Sequence, residues 1–173
     1  MFEPEVNPAK IGSADLVVGI PSYNEAESMG RTALQANLGL VQFFRDRSCV
    51  IINCDNDSPD RTKDAFLATP TDVPKIYLST PTGVRGKGNN LKNLFRKAVE
   101  LKAQAVVVVD ADLKTMRPEW IKHLAEPLFN GFSFVAPLYI RHKYDGTITN
   151  GIAYPMTRCL YGRRTHRRRE LHR

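Results

Sequence analysis

Cysteine is scarce and badly spaced for structural work. Cys49, Cys54 and Cys159 are the three in 173 residues, and no two stand in CxxC spacing. That odd, scattered set excludes a disulfide framework and a zinc ribbon, and it fits reduced thiols buried as small hydrophobes. Long apolar runs are missing too: none approaches the ~20 residues a membrane span needs. The first residues show no charged-then-apolar leader pattern, so a cytoplasmic location and no stable membrane insertion are expected. Internal repeats and low-complexity segments are absent before residue 163. An aromatic platform for stacking bases is also lacking, which argues against nucleic-acid binding.

Positive charge is present but misleading. The formal net charge is +7. Residues 163–173 hold six arginines (Arg163, Arg164, Arg167, Arg168, Arg169 and Arg173) and one acid, Glu170. Without them, 19 Lys+Arg face 17 Asp+Glu, a net of +2. The body is nearly neutral and the basicity belongs to a tail with no apolar face to bury. That tail is expected to be disordered. The remaining length suffices for one domain with a real core, here residues 1–162.

Residues 1–14 read as an irregular lead-in. Strands are expected at 15–20, 49–54, 75–78 and 105–109. Pro21 should stop the first of them. A helix over about 25–45 should carry Leu34, Leu38, Val41 and Phe44 on one side. Another is expected from Ser58 as N-cap and Pro59 as first helical residue to about Ala68. After the loop 79–88, Leu91, Leu94, Phe95, Ala98 and Leu101 mark the clearest helix. Pro118 opens a further helix that ends at Gly131. Residues 132–140 read as a fifth strand, bent or at an edge because of Pro137. A last helix is expected over 148–160. Strand and helix alternate four times, which predicts an α/β fold with a mostly parallel, doubly wound sheet. The expected order of the first four strands is 3-2-1-4.

The stretch Val106-Val107-Val108-Val109-Asp110-Ala111-Asp112 organises the functional reading. Four β-branched residues predict a strand buried on both faces. In an extended chain Asp110 and Asp112 project to the same side, with Ala111 opposite. Two short carboxylates at the C-terminal end of a buried strand suit a hard divalent cation. The plain alternative is that aspartates simply end a strand. Two other strands also lead into acid-bearing turns, Pro21–Glu25 and Asp55–Asp60. Three such turns on one edge of a parallel sheet describe a pocket for a cation and polyhydroxyl or base groups. The loop 83–88 is not a phosphate-binding Walker loop, since its spacing is wrong and Asn89 stands where Ser or Thr is needed.

Taken in order, Pro21-Ser22-Tyr23-Asn24-Glu25, Asp55–Thr62, Gly86-Lys87-Gly88 and Asp110-Ala111-Asp112 resemble the motifs of GT-A-fold glycosyltransferases related to family 2. The resemblance is greater to the glucosyl-3-phosphoglycerate synthase and mannosylglycerate synthase branch, and it runs from about Asp15 to Gly162. It implies a GT-A (Rossmann-like), mostly parallel sheet flanked by helices. It also implies hexose transfer from a nucleotide-diphosphate sugar, UDP-glucose or GDP-mannose, to a small acidic acceptor of glycerate or phosphoglycerate type.

By the same resemblance, Asp112 with Asp110 would be catalytic and would hold Mg²⁺ or Mn²⁺. Pro21, Tyr23, Glu25, Asp57, Lys87 and Asp110 would bind the donor. Arg141, His142, Lys143, Asp145 and Thr147 would bind the acceptor. The resemblance admits a homodimer. Two departures stand out. Asn56 replaces the second acid of the usual pair, and the tail after Gly162 looks truncated or out of frame. A catalytically incomplete nucleotide-sugar-binding domain is therefore the alternative function.

Overall fold

The computed structural model describes residues 5–84, 86–137 and 148–162. Two compact units divide at Ala136/Pro137. The first contains strands β1 (Glu5–Val6), β2 (Leu16–Ser22), β3 (Cys49–Asp55), β4 (Lys75–Ser79) and β5 (Ala105–Val108). Its helices are α1 (Ala26–Phe43), α2 (Thr62–Ala68), α3 (Lys87–Glu100) and α4 (Pro118–Phe129). The sheet order is β1-β4-β3-β2-β5, parallel except for β1, which pairs antiparallel with β4. The expected 3-2-1-4 order therefore holds for β4-β3-β2-β5. The strand β1 inside the lead-in was not foreseen. Its two residues carry no periodicity, and Glu5 is held from outside the sheet by the nearly buried Lys97 at 2.7 Å.

Alternate residues of the central strands feed two cores. Leu16, Val18, Ile20, Ile51 and Val107 pack beneath α1, α2 and α4, with Met29, Leu40, Phe66 and Ile121. Val17, Val50, Ile52, Ile76 and Leu78 pack beneath α3, with Leu94, Ala98 and Leu101. This two-sided burial is the arrangement expected of parallel strands flanked by helices.

Several expectations need correction. Pro21 does not stop its strand but lies inside β2, opposite Cys54 of β3. The carbonyl of Gly19 faces β5, accepting from Val109 N–H at 3.0 Å, so by strand alternation Pro21 faces that side too. The β2–β5 pairing ends at Gly19, so the missing proline N–H breaks no ladder bond. On α1 the buried face is Met29, Thr32, Ala33, Ala36, Asn37, Gly39 and Leu40, while Leu34 and Leu38 are exposed. The small residues won because α4 approaches closely there: a Cβ on Gly39 would lie 2.6 Å from the Pro118 carbonyl oxygen.

Ser58 and Pro59 do not open α2, which starts at Thr62. Ser58 is drawn into the turn before it by Asp55. Phe95 is half-exposed on α3, although Leu94 and Ala98 are buried as expected. β5 is not buried on both faces, since Val108 is 37% exposed. Residues 132–137 form no strand. Gly131 at φ 93° turns the chain back, and Phe132 N–H bonds the Pro127 carbonyl at 3.1 Å. Residues 138–140 lie outside the described residues.

In the second unit, a π-helical turn over Thr149–Ala153 runs into α5 (Tyr154–Tyr161), as the sequence suggested. Gly162 closes it at φ 63°, its N–H bonding the Arg158 carbonyl at 3.0 Å. Among the described residues no helix is long and apolar enough to cross a membrane.

Candidate functional site

Parallel register brings three strand ends level. Ser22, Asp55 and Ser79 are aligned across β2, β3 and β4. Asp55 is 1% exposed and accepts four hydrogen bonds. Ser22 Oγ donates at 2.8 Å, Ser58 Oγ and Ser58 N–H each at 2.7 Å, and Tyr77 Oη at 3.1 Å. Burial, with the Asp55 charge beside it, pushes the Tyr77 phenol above its ordinary pKa.

The first two turns are stitched together. Asn24 N–H donates to Ser58 Oγ at 2.9 Å, and Glu25 N–H donates to Thr62 Oγ1 at 2.8 Å. Asp60 accepts from Ala26 N–H at 3.1 Å and Thr62 N–H at 3.0 Å, and also from the Thr62 hydroxyl. Desolvation alone would raise the Asp60 pKa. The donors of Thr62 and Ala26 outweigh it and hold the carboxyl below its usual value. Asn24 and Asp57 both take positive φ, 58° and 54°, as short polar residues in tight turns can.

The third turn follows β5. Burial alternates through it: Val107 in, Val108 out, Val109 in, Asp110 half-buried, Ala111 in, Asp112 out. Asp110 and Asp112 thus lie on the outward side although regular pairing stops at Val108. Ala111 is tied down by Thr32 of α1, whose hydroxyl donates to the Ala111 carbonyl at 2.7 Å. Lys87, the first residue of α3, forms an ion pair with Asp110 in which both side chains are largely exposed.

The predicted residues fall as follows. Pro21 is buried at the end of β2, and Tyr23 is exposed just beyond it. Glu25 sits at the N-cap of α1 and accepts the Ser28 hydroxyl at 2.6 Å. Asp57 is exposed at the tip of the second turn. Lys87 and Asp110 are brought together, with Asp112 two residues on. Arg141, His142, Lys143, Asp145 and Thr147 lie outside the described residues.

Sequence reasoning missed the roles of Ser22, Thr32, Asn53, Asp55 and Asn90. Asn53 Nδ2 donates to Ser22 Oγ at 2.8 Å and to the Ile20 carbonyl at 2.9 Å. Asn90 Nδ2 donates to the Ser22 carbonyl at 3.0 Å. An asparagine inside a run of apolar strand residues, Ile51-Ile52-Asn53-Cys54, was the available signal. The buried acceptors Asn53 Oδ1, Asn56 Oδ1, Asn90 Oδ1 and Thr80 Oγ1 bond to no group among the described residues. Buried polar atoms ordinarily find a donor, so this edge of the sheet is chemically suited to a polar ligand or ordered water.

No cluster of three or more His, Cys, Asp or Glu able to hold a metal occurs among the described residues. The outward carboxylates of Asp110 and Asp112 are nevertheless a hard-oxygen donor pair. Mg²⁺-type sites commonly use one or two carboxylates and complete the shell with water and substrate phosphates. By donor chemistry the pair fits such a cation.

Residues 17–171 match the family model described as Glycosyl transferase family 2. No curated protein matches the chain. Among solved structures, the chain is similar to glucosyl-3-phosphoglycerate synthase from Mycobacterium tuberculosis in complex with Mn²⁺, UDP-glucose and phosphoglyceric acid. That match has 22% identity, a TM-score of 0.64 and coverage of 86% of this chain and 51% of that one. A mycobacterial protein matches at 24% identity and a TM-score of 0.64, over 85% of this chain and 47% of its own. TarS from S. aureus matches at 18% and 0.50, over 62% and 30%. The chain thus spans about half the length of the first two structures. At these identities the structural likeness establishes the GT-A fold.

Proposed function

Because this chain belongs to glycosyl transferase family 2, we propose that it transfers a hexose from a nucleotide-diphosphate sugar to a small acidic acceptor of the glycerate or phosphoglycerate type. The observation that carries the reading is the strand-end edge. Three turns converge there, Asp110 and Asp112 face outward, and Lys87 stands beside them. The similar mycobacterial enzyme holds UDP-glucose and Mn²⁺, which favours UDP-glucose over GDP-mannose as the donor here.

Asp112, helped by Asp110, would hold Mg²⁺ or Mn²⁺, which supplies positive charge against the diphosphate that leaves. Lys87 would turn from Asp110 to the diphosphate, at a helix start where backbone N–H groups also favour anions. Pro21 and Tyr23 would lie against the base, Glu25 would take ribose hydroxyls, and Asp57 would meet the base edge. Arg141, His142 and Lys143 would supply charge for the acceptor's carboxylate or phosphate, with Asp145 and Thr147 on its hydroxyls. A second reading is donor binding without transfer, which the assay below separates from the first.

The test is a thermal-shift panel of UDP, UDP-glucose, GDP and GDP-mannose with and without Mn²⁺, followed by assay of transfer to 3-phosphoglycerate and glycerate. Stabilisation by uridine nucleotides that grows with Mn²⁺ is expected, because melting shifts follow ligand affinity. No stabilisation by any nucleotide would reject donor binding. Stabilisation without product would select the second reading.

A further inference from the structure

Thr32 lies in the middle of α1, 1% exposed, and its hydroxyl does not behave as a helical threonine's usually does. Such a hydroxyl commonly bonds back to the carbonyl four residues earlier. Thr157 of α5 does so, to Ala153, and Thr69 at the C-cap of α2 does so to Ala65, each at 2.7 Å. Thr32 instead reaches across 79 positions of sequence to the Ala111 carbonyl, also at 2.7 Å. That carbonyl belongs to the residue between Asp110 and Asp112.

Ala111 is 3% exposed, with its methyl in the core beneath α1 and α4. The turn is therefore held by its middle residue: the methyl is packed and the carbonyl is bonded, while the flanking carboxylates face outward. Regular strand pairing has already ended at Val108, so the ladder does not set the orientation of these two acids. We propose that Thr32 is a positioning residue for the Asp110–Asp112 pair, fixing through the Ala111 carbonyl the orientation in which both carboxylates bind one divalent cation. This inference rests on the cation role given to the two aspartates above.

A positioning hydroxyl predicts a specific pattern. Thr32→Val keeps the shape and removes the donor. Thr32→Ser keeps the donor and removes the methyl. Outer-shell partners of metal ligands typically contribute ~10–100-fold to metal affinity. With UDP present, Mn²⁺ affinity read from the paramagnetic resonance of free Mn²⁺ should fall by about that factor in Thr32→Val and return in Thr32→Ser. UDP affinity without metal, read by calorimetry, should stay the same in all variants.

Asp112→Ala is run in parallel. If it binds Mn²⁺ as the unaltered chain does, the cation role of the aspartates is wrong and the inference falls with it. If Asp112→Ala loses Mn²⁺ while Thr32→Val keeps it, only the role of Thr32 is overturned. Equal weakening by Val and Ser would also overturn it, since the methyl rather than the hydroxyl would then matter. Should Thr32→Val fail to fold, Thr32→Ala, which leaves space for water at the Ala111 carbonyl, is read by the same two measurements.

Discussion

Ser22 at the end of β2 donates its hydroxyl to Asp55 at the end of β3, 2.8 Å away, at positions paired in the parallel register. That bond, with those from Ser58 and Tyr77, makes Asp55 the fixed point from which the second turn departs. It also explains why an acid in an acidic turn is unavailable to a ligand. The four donors occupy both of its oxygens in a site that solvent does not reach.

Replacing Asp55 by Ala should therefore cost stability rather than binding chemistry. Ser22 and Tyr77 would each keep a buried donor with no acceptor, and Ser58 a half-buried one, and the expected loss is about 3 kcal/mol or more. Tyr77→Phe should cost about 1 kcal/mol. Urea unfolding of both variants checks the ranking, and equal midpoints for Asp55→Ala and the unaltered chain would contradict it.

Asp60 predicts an acid-side dependence. Its folded pKa is depressed by the Thr62 and Ala26 donors. The stability it contributes is present above the ordinary aspartate value of about 3.9 and is lost as pH falls through the lower folded value. Asp60→Asn should flatten the decline of the urea midpoint below about pH 4. A variant whose acid limb matches that of the unaltered chain would show that Asp60 does not titrate this way.

Gly39→Ala should be destabilising although alanine is the better helix former. The added methyl meets the Pro118 carbonyl at 2.6 Å and Ile121 at 2.9 Å, so α1 and α4 must move apart. Overpacking of this kind costs about 1–3 kcal/mol. A higher melting temperature in Gly39→Ala would mean the two helices separate freely.

Lys87→Met separates folding from binding. Its ion pair with Asp110 is largely exposed, so stability should change by less than about 1 kcal/mol. UDP affinity in the presence of Mn²⁺ should fall by about 1.5–3 kcal/mol, the usual loss for a hydrogen bond to a charged group. Calorimetric titration measures this, and an unchanged dissociation constant would remove Lys87 from the diphosphate site.

Glu25→Ala tests the base side. Its carboxylate is partly exposed at the α1 N-cap and, among the described residues, accepts a local bond from Ser28. The expected weakening of UDP binding is about 1–3 kcal/mol at fixed metal concentration. If affinity holds, Glu25 serves only the helix start.

Local pattern made much of this legible in advance. β-branched runs marked β2, β3 and β5, and Gly131 marked the end of α4. The three polar strand ends were legible too, with Asp110 and Asp112 on one of them, whereas Lys87 entered only through the family resemblance and its pairing with Asp110 is a finding of the structure. These features depend on side-chain periodicity and backbone preference, which a chain carries wherever it folds. Tertiary structure decided what depends on a second element. It buried Ala33, Ala36 and Gly39 rather than Leu34 and Leu38, because the close approach of α4 selects small residues. It recruited Glu5–Val6 as an edge strand through Lys97. It turned Asp55 inward and left Asp112 outward, though both are aspartates at strand ends, because Ser22, Ser58 and Tyr77 surround the first. It sent the Thr32 hydroxyl to Ala111 rather than back along its own helix. A side chain's type is written in one position, but its partner is set by distance in space, which sequence separation does not measure.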